Sequence, residues 1–302
     1  MAKTAIVLPC FNEGEVLLNT LKTLQKKVGK TAKIICVDDG STDDTWKIIE
    51  KQKGVIGVKL STNVGQQNAL MAGLMFALEN KFDVTISMDA DLQDDISVID
   101  EMLKQYKKGF DIVYGVRANR KKDSLFKRRS AKIYYRLLRL MGVKIMKDVA
   151  DCRLMNRKAL ECLREYREVN LFLRGVVPLI GLKTTTVSYD RQARRAGRSK
   201  YTPRKMFHLA WDGITSFSTR PLRLIFDFGI LAVIVGIGVS IYAVVQYILG
   251  QTVPGWTFII CSIWLLSGAI LMGIGLVGEY IGKIYLETKQ RPRYFIEKVK
   301  KK

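Results

Sequence analysis

Short apolar runs alternate with helical stripes through the first third of the chain. Thr4 to Leu8, Ala32 to Val37, Val55 to Leu60, Phe82 to Met88 and Asp111 to Tyr114 read as buried strands rich in Val and Ile. Between them lie helical patterns: the stripe Leu17, Leu21, Leu24, Val28; a helix opening near Asp44-Thr45-Trp46; an Ala- and Leu-rich helix running to Glu79; and one from Ile96 to Tyr106. Pro9 is expected to break the first strand. Asn12 with Glu15 reads as a capping box and Ser41 as the cap of the second helix. Strand and helix alternating over short connections predict an α/β fold: a Rossmann-like, mostly parallel, doubly wound sheet with helices on both faces.

The pattern then changes. Ile133 to Val143 reads as an amphipathic helix, Asn170 to Leu182 as a half-buried helix and Lys183 to Tyr189 as a strand. Lys205 to Leu224 mixes aromatic and basic residues, as helices lying in a membrane interface do. From Phe228 to Gly278 no charged residue occurs, roughly 50 positions, enough for two bilayer crossings of about 20 residues each. The expected spans are Phe228 to Leu249 and Trp256 to Val277, joined by an uncharged turn. Arg220, Arg223, Lys283, Lys289, Arg291 and Arg293 on the outer flanks put both termini in the cytoplasm. Gly273-Ile-Gly275-Leu-Val-Gly278 has dinucleotide-loop spacing but lies inside a span with no strand before it. Small residues for close helix packing explain it. The organisation is thus 1–203 catalytic, 204–225 interfacial, 226–280 transmembrane and 281–302 a basic tail.

Composition sharpens this division. Of 302 residues 48% are hydrophobic, yet Lys and Arg number 50 against 28 Asp and Glu, a formal charge of +22. That excess implies anionic partners: phosphates or an anionic lipid surface, with no nucleic-acid motif present. His208 is the only histidine, which removes Ser-His-Asp and Cys-His catalysis. The five cysteines have no paired spacing, so neither a zinc site nor a disulfide framework is expected.

The candidate chemistry is therefore carboxylate, cation and metal. Asp38-Asp39 and Asp89-Ala-Asp91-Leu-Gln93 both fall at carboxyl ends of expected strands, where open α/β sheets bind ligands. Either loop alone could be a solvated turn. Two on one sheet edge suggest a nucleotide site with Mg²⁺ or Mn²⁺ held by hard oxygen ligands. Asp94 and Asp95 are read as helix caps. Arg117 opens a basic stretch, and Arg191, Arg194, Arg198, Ser199 and Lys200 surround Gly197 as a phosphate clamp would; a solvated basic loop is the alternative. Asp151 beside Arg153 is compatible with a structural ion pair or a site.

The order of these motifs resembles the inverting GT-A glycosyltransferases, and more narrowly the polyprenyl-phosphate glycosyltransferases. That group includes dolichol-phosphate mannose synthases and bacterial bactoprenol glucosyltransferases. The likeness is carried by Val7-Leu-Pro9-Cys-Phe11-Asn12-Glu13, Val37-Asp38-Asp39-Gly40-Ser41 and Asp89-Ala-Asp91-Leu-Gln93. Downstream it continues through Asp151-Cys-Arg153-Leu-Met, Asn170-Leu-Phe, Ala196-Gly197-x-Ser199-Lys200-Tyr201 and Glu287-Thr-Lys-x-Arg291-Pro. Cys152 departs from the Phe of relatives.

The resemblance implies roles for these residues. Pro9, Phe11, Glu13, Asp38, Asp39 and Asp89 would bind nucleotide, and Asp89, Asp91 and Gln93 the metal. Arg117, Arg153, Arg191, Arg194, Arg198, Ser199 and Lys200 would bind acceptor and diphosphate, and Asp151, with Asp91, would be catalytic. It implies transfer of a sugar, glucose first, from a UDP-sugar to undecaprenyl phosphate at the cytoplasmic face of a bacterial membrane by a homo-oligomer. GDP-mannose and UDP-N-acetylglucosamine remain alternative donors. A non-catalytic nucleotide- and lipid-binding adaptor is the reading from another class.

Overall fold

The computed structural model of the chain describes residues 2–29, 31–91, 93–117, 149–169, 171–190, 215, 218–250 and 255–301. The expected amphipathic helix at 133–143, the clamp residues Arg191, Arg194, Arg198, Ser199 and Lys200, and most of the interfacial segment lie outside these residues, as do details of the Arg117 side chain.

The chain runs β1 (Thr4–Cys10), α1 (Gly14–Val28), β2 (Ala32–Asp38), α2 (Thr45–Lys51), β3 (Val55–Leu60), α3 (Gln66–Glu79), β4 (Val84–Ser87), α4 (Val98–Lys107) and β5 (Ile112–Arg117). It continues with β6 (Val149–Asn156), α5 (Arg157–Arg164), a single turn α6 (Leu173–Val176), a 3₁₀ turn (Val177–Ile180), β7 (Thr184–Tyr189), α7 (Arg220–Ile248), α8 (Trp256–Thr288) and β8 (Ile296–Lys300). The half-buried helix expected at 170–182 is therefore two short turns. Eight strands form one sheet in the order β7-β5-β6-β4-β1-β2-β3-β8.

Alternation along β1 explains the layering. Ala5 and Val7 pack with α3 and α5 on one face, while Ile6 and Leu8 pack with α1 and α4 on the other. Every residue of α3 from Ala69 to Leu78 is buried, because the sheet covers one side and α5 the other. β1 runs on through Pro9 to Cys10, contrary to the expected break. β4 pairs with β1 only as far as Val7, whose carbonyl accepts from Met88 N–H at 3.1 Å. Pro9 lies two residues on and so points to that same side, where the ladder has already ended. Its missing N–H leaves nothing unpaired.

The sheet is mixed rather than mostly parallel. β1–β2, β1–β4, β2–β3 and β5–β7 are parallel; β6 runs antiparallel to both β4 and β5, and β8 antiparallel to β3. The stretch between β5 and β6 is long enough to return in either direction, so its length does not impose a parallel pairing. The reversal has a functional consequence: the beginning of β6 sits at the edge where the parallel strands end. Ser87 faces Arg153 in the β4–β6 ladder, and continuing that register sets Asp151 opposite Asp89.

α7 and α8 are long and expose apolar side chains, among them Phe226, Phe228, Ile234 and Ile241 on the first and Ile270, Leu271, Met272 and Ile274 on the second. Among the described residues, one helical segment, Leu266–Thr288, is long and apolar enough to cross a membrane. α8 continues past the expected end at Val277, through Glu279 and Lys283, to Thr288. The expected basic tail is instead structured: after α8 the chain returns to the sheet as β8. Lys298 pairs with Glu50 at 2.6 Å and Lys59 with Glu297 at 2.9 Å, and Lys300 Nζ donates to the carbonyls of Ile49, Gln52 and Val55.

Candidate active site

The loops after β1 and β2 are sewn to each other by their own polar residues. Asn12 N–H donates to Ser41 Oγ (3.0 Å), Glu13 N–H to Thr45 Oγ1 (2.9 Å) and Gly14 N–H to Asp43 Oδ2 (2.9 Å). In return Asn12 Oδ1 accepts from Thr42 N–H at 2.9 Å. Neither expected cap forms: Glu13 and Asp44 occupy the N-cap positions of α1 and α2, with no side-chain cap bond in either. Asn12 sits at φ 51°, a left-handed conformation that asparagine tolerates, which turns its side chain to the second loop instead. Gly40 has φ 66°, and a Cβ there would lie 2.6 Å from Asn63 N, so the β2 loop packs directly on the backbone after β3.

Within this cradle Asp38 and Asp39 are fully buried, at 0% and 2% exposure. Asp39 accepts from Val64 N–H at 2.8 Å and Gly65 N–H at 3.0 Å, and Asn63 Nδ2 donates to its carbonyl. Asp38 Oδ1 accepts from Ser41 N–H at 3.3 Å, while buried Oδ2 has no hydrogen-bond partner. Burial raises both carboxyls above their ordinary range, against the lowering effect of these donors. Asp38 Oδ2 is thus an orphaned buried acceptor, and Phe11, 37% exposed, follows Cys10, the register partner of Asp38, so an aromatic face and an unanswered acceptor sit on adjoining strand ends. Pro9 precedes them on β1, partly buried.

The second acidic group lies at the end of β4. Asp89 is half-buried and accepts from Gln66 Nε2 at 2.9 Å. Its carboxyl is pushed up to about 7, first by burial and then by the neighbouring charges of Asp151, Asp94 and Asp91, with Arg174 opposing. Asp91 Oδ1 accepts from Gln93 N–H at 3.2 Å, and Gln93 is 8% exposed. Asp94 is not a helix cap: it is 3% exposed and accepts from Tyr189 Oη at 2.5 Å, because β7 brings Tyr189 across the sheet edge. Asp95 bonds Ser97 N–H at 2.9 Å, in the loop before α4.

Asp151 begins the buried part of β6. Arg174 holds it with a bidentate pair, Nε to Oδ1 at 2.9 Å and Nη2 to Oδ2 at 2.8 Å. Arg153, expected to contact phosphate, is 1% exposed; its Nη2 lies 3.5 Å from Asp151 and its Nη1 donates to the Leu173 carbonyl at 3.1 Å. Burial takes it out of reach of an acceptor and makes it a support. Leu173 N–H donates in turn to Gln67 Oε1 at 3.2 Å.

The start of α3 therefore joins every part of the site. Val64 and Gly65 hold Asp39, Gln66 holds Asp89, and Gln67 holds the turn that carries Arg174. The sequence pattern marked this region only as the approach to the Ala- and Leu-rich helix and singled out none of Gln66, Gln67, Arg174 and Tyr189 as site residues. The one available signal was Arg174 itself, a lone charge in the apolar run Leu171 to Ile180.

The donor set fits a hard divalent cation. Asp91, Asp94 and Asp151 lie near enough to raise Asp89, and the four supply oxygen only. Among the described residues no group of three or more His, Cys, Asp or Glu forms a ready-made cage. That matches an ion held by one or two carboxylates and completed by a substrate's phosphates.

The sequence profile of glycosyl transferase family 2 matches residues 5–164. A glycosyltransferase of Bacillus subtilis, YkoT, is 48% identical, over 97% of this chain and 90% of its own. The prophage bactoprenol glucosyl transferase homolog of Escherichia coli is 36% identical over 99% of this chain and 100% of its own, and the bactoprenol glucosyl transferase of Shigella phage SfV gives the same values. Among solved structures, glucosyl-3-phosphoglycerate synthase from Mycobacterium tuberculosis superimposes with a TM-score of 0.50 at 14% identity, over 72% of this chain and 79% of that one. It shares the fold.

Proposed function

The chain belongs to glycosyl transferase family 2, and from that premise we propose that it transfers a sugar, glucose first, from a UDP-sugar to undecaprenyl phosphate with inversion. The observation that carries the reading is the full-length match to bactoprenol glucosyl transferases, which runs through the acidic site and the long apolar helices alike.

Asp38 and Asp39 would take the base and ribose, with Phe11, Pro9 and Glu13 lining the same pocket. Asp89, Asp91 and Gln93 would hold Mg²⁺ or Mn²⁺. When bound, such an ion neutralises charge on the departing diphosphate as a Lewis acid. The acceptor's phosphate oxygen attacks the anomeric carbon from the face opposite the diphosphate. A new C1–O bond forms as the old one breaks, and its electron pair leaves with UDP. A phosphate monoester has its second pKa at about 6, so at neutral pH the nucleophile is already mostly ionised. Arg117 and the basic residues Arg191, Arg194, Arg198, Ser199 and Lys200 would steer and hold phosphate from the loops bordering the site.

An isoprenoid acceptor stays in the bilayer and offers its phosphate only at the interface. The exposed apolar surfaces of α7 and α8 support a two-crossing anchor with the sheet and both termini on the cytoplasmic side, and small residues on α8 support packing into a homo-oligomer.

The test is to incubate membranes containing the protein with undecaprenyl phosphate and labelled UDP-glucose, UDP-N-acetylglucosamine and GDP-mannose, with and without EDTA. A labelled, EDTA-sensitive lipid from UDP-glucose is expected. No lipid-linked product from any donor refutes the function, and turnover that survives EDTA refutes the metal.

A further inference from the structure

An acceptor phosphate meets an electrostatic difficulty at this site. Asp89, Asp91, Asp94 and Asp151 already crowd the edge where it must arrive, and a dianion approaching four carboxylates is repelled unless a cation stands at the point of contact. Two guanidiniums lie there among the described residues. Arg153 is buried to 1% exposure, whereas the Arg174 side chain is 32% exposed. Arg174 alone of the two reaches solvent.

Its surroundings fix it tightly. The turn that carries it is gripped on both sides of Leu173, by Gln67 accepting its N–H and by Arg153 donating to its carbonyl. Phe172 O accepts from Gly175 and Val176 N–H at 2.9 and 3.0 Å and closes the turn. Asp151 then fixes the guanidinium itself, edge to edge. A guanidinium presents a rigid planar fork, so one edge can hold a carboxylate while the group binds phosphate with another. Both oxygens of Asp151 accept from Arg174, so drawing a proton onto Asp151 would mean breaking the pair. The nucleophile has little proton to give.

We propose that Arg174 binds the acceptor's phosphate at the acidic edge, after the basic loops have steered it there, and that Asp151 is its positioning partner rather than a general base. The proposal rests on the reading of the protein as a glycosyltransferase with a phosphate acceptor. Asp151 orients Arg174; the cations facing it are Arg174 on α6 and Arg153 on β6, and the carboxylate facing it is Asp89 at the end of β4.

The experiment uses the full-length protein in detergent or nanodiscs, with undecaprenyl phosphate and the donor the wild type uses. Arg174→Ala should raise KM for the lipid phosphate by about tenfold or more, the loss expected for a charge-assisted hydrogen bond, while UDP affinity stays within about twofold. Arg174→Lys should recover part of the lipid affinity. Asp151→Asn should lose activity equally at about pH 6.5 and about pH 8.5, either side of the phosphate's titration. The double variant Arg174→Ala/Asp151→Ala should be no more than about threefold worse than Arg174→Ala, as residues acting as one unit are.

An unchanged lipid KM in Arg174→Ala, or an Asp151→Asn defect that recovers at high pH, overturns the proposal. Should Arg174→Ala strand the Asp151 charge and lose UDP binding, Arg174→Lys and the double variant decide, and unchanged lipid KM in both overturns it. A wild type that makes no lipid product refutes the glycosyltransferase reading instead.

Discussion

Asp38-Asp39 and Asp89-Ala-Asp91 stand at the ends of nearby strands, two pairs of carboxylates on one sheet edge, and the fold treats them in opposite ways. The first pair is buried and answered by the chain's own backbone: Val64, Gly65 and Ser41 N–H groups point at it. Among the described residues no cation forms a salt bridge with it. The second pair is joined by Asp94 and Asp151, where among the described residues the partly exposed Arg174 pairs with Asp151, and the crowding of carboxylates shows in the raised carboxyl of Asp89. Backbone donors build a pocket that is largely formed before its ligand comes, with Asp38 Oδ2 alone of its four carboxylate oxygens left without a donor. Crowded carboxylates build one that an incoming cation can balance, and the cation in turn can take a diphosphate. The same residue type thus marks a structural cradle in one place and a reactive seat in the other.

The sharpest way to break this comparison is to remove one carboxylate from each side. Asp91→Ala should leave the melting temperature nearly unchanged, because Asp91 is only partly buried and bonds the nearby Gln93 N–H, and lower sugar transfer by about 10³-fold, as expected when charge stabilisation of a leaving group is lost. Thermal melting together with lipid-product assay checks this. If Asp91→Ala unfolds the protein, the second site is structural after all.

Asp39→Ala should do the reverse. It strands the Val64 and Gly65 N–H groups inside the protein and loosens the start of α3, at a cost of about 2–5 kcal/mol. A melting temperature lower by several degrees is expected in the nucleotide-free protein, before activity is considered. A variant that melts like wild type and merely binds UDP less well would erase the contrast.

Much of this was legible from the chain itself. The strand ends, the acidic loops and the family likeness all follow from local pattern, because a strand that stops in carboxylates announces itself within seven or eight residues. What stayed hidden depends on topology. Nothing local says that β6 runs antiparallel, and only that reversal carries Asp151 to Asp89. Tyr189 reaches Asp94 across 95 positions, and Leu173 reaches Gln67 across 106; such partners are set by sheet order, not by periodicity. The caps failed for the same reason. Asn12 and Ser41 have good helix-capping chemistry, and a partner loop 29 residues away took it instead. The C-terminal residues read as a basic tail because their charges are real; their pairing with Glu50 and with the carbonyls of Ile49, Gln52 and Val55 requires knowing that β8 adds to β3.

The smallest effect bears on the same contrast through pH. Asp89 titrates near 7 in the folded protein, against about 3.9 for a free aspartate. Between those values the native state holds a proton that the unfolded chain has released. Stability of the metal-free protein therefore falls as pH rises through that window, and levels off above about 7. A divalent cation needs the ionised form, so its apparent affinity should rise by up to about tenfold per pH unit on the way to neutrality, then plateau. Melting temperature measured from about pH 5.5 to about pH 8.5, with and without Mn²⁺, reads both trends, which should have opposite signs. Asp89→Asn should flatten both, since an amide can neither hold that proton nor gain from losing it. Buried Asp39, already answered by two N–H groups, should contribute nothing to the Mn²⁺-dependent part. A Mn²⁺ response of constant size across this range would mean that the carboxylate surplus at β4 is balanced from within the protein, and that the two acidic strand ends are alike.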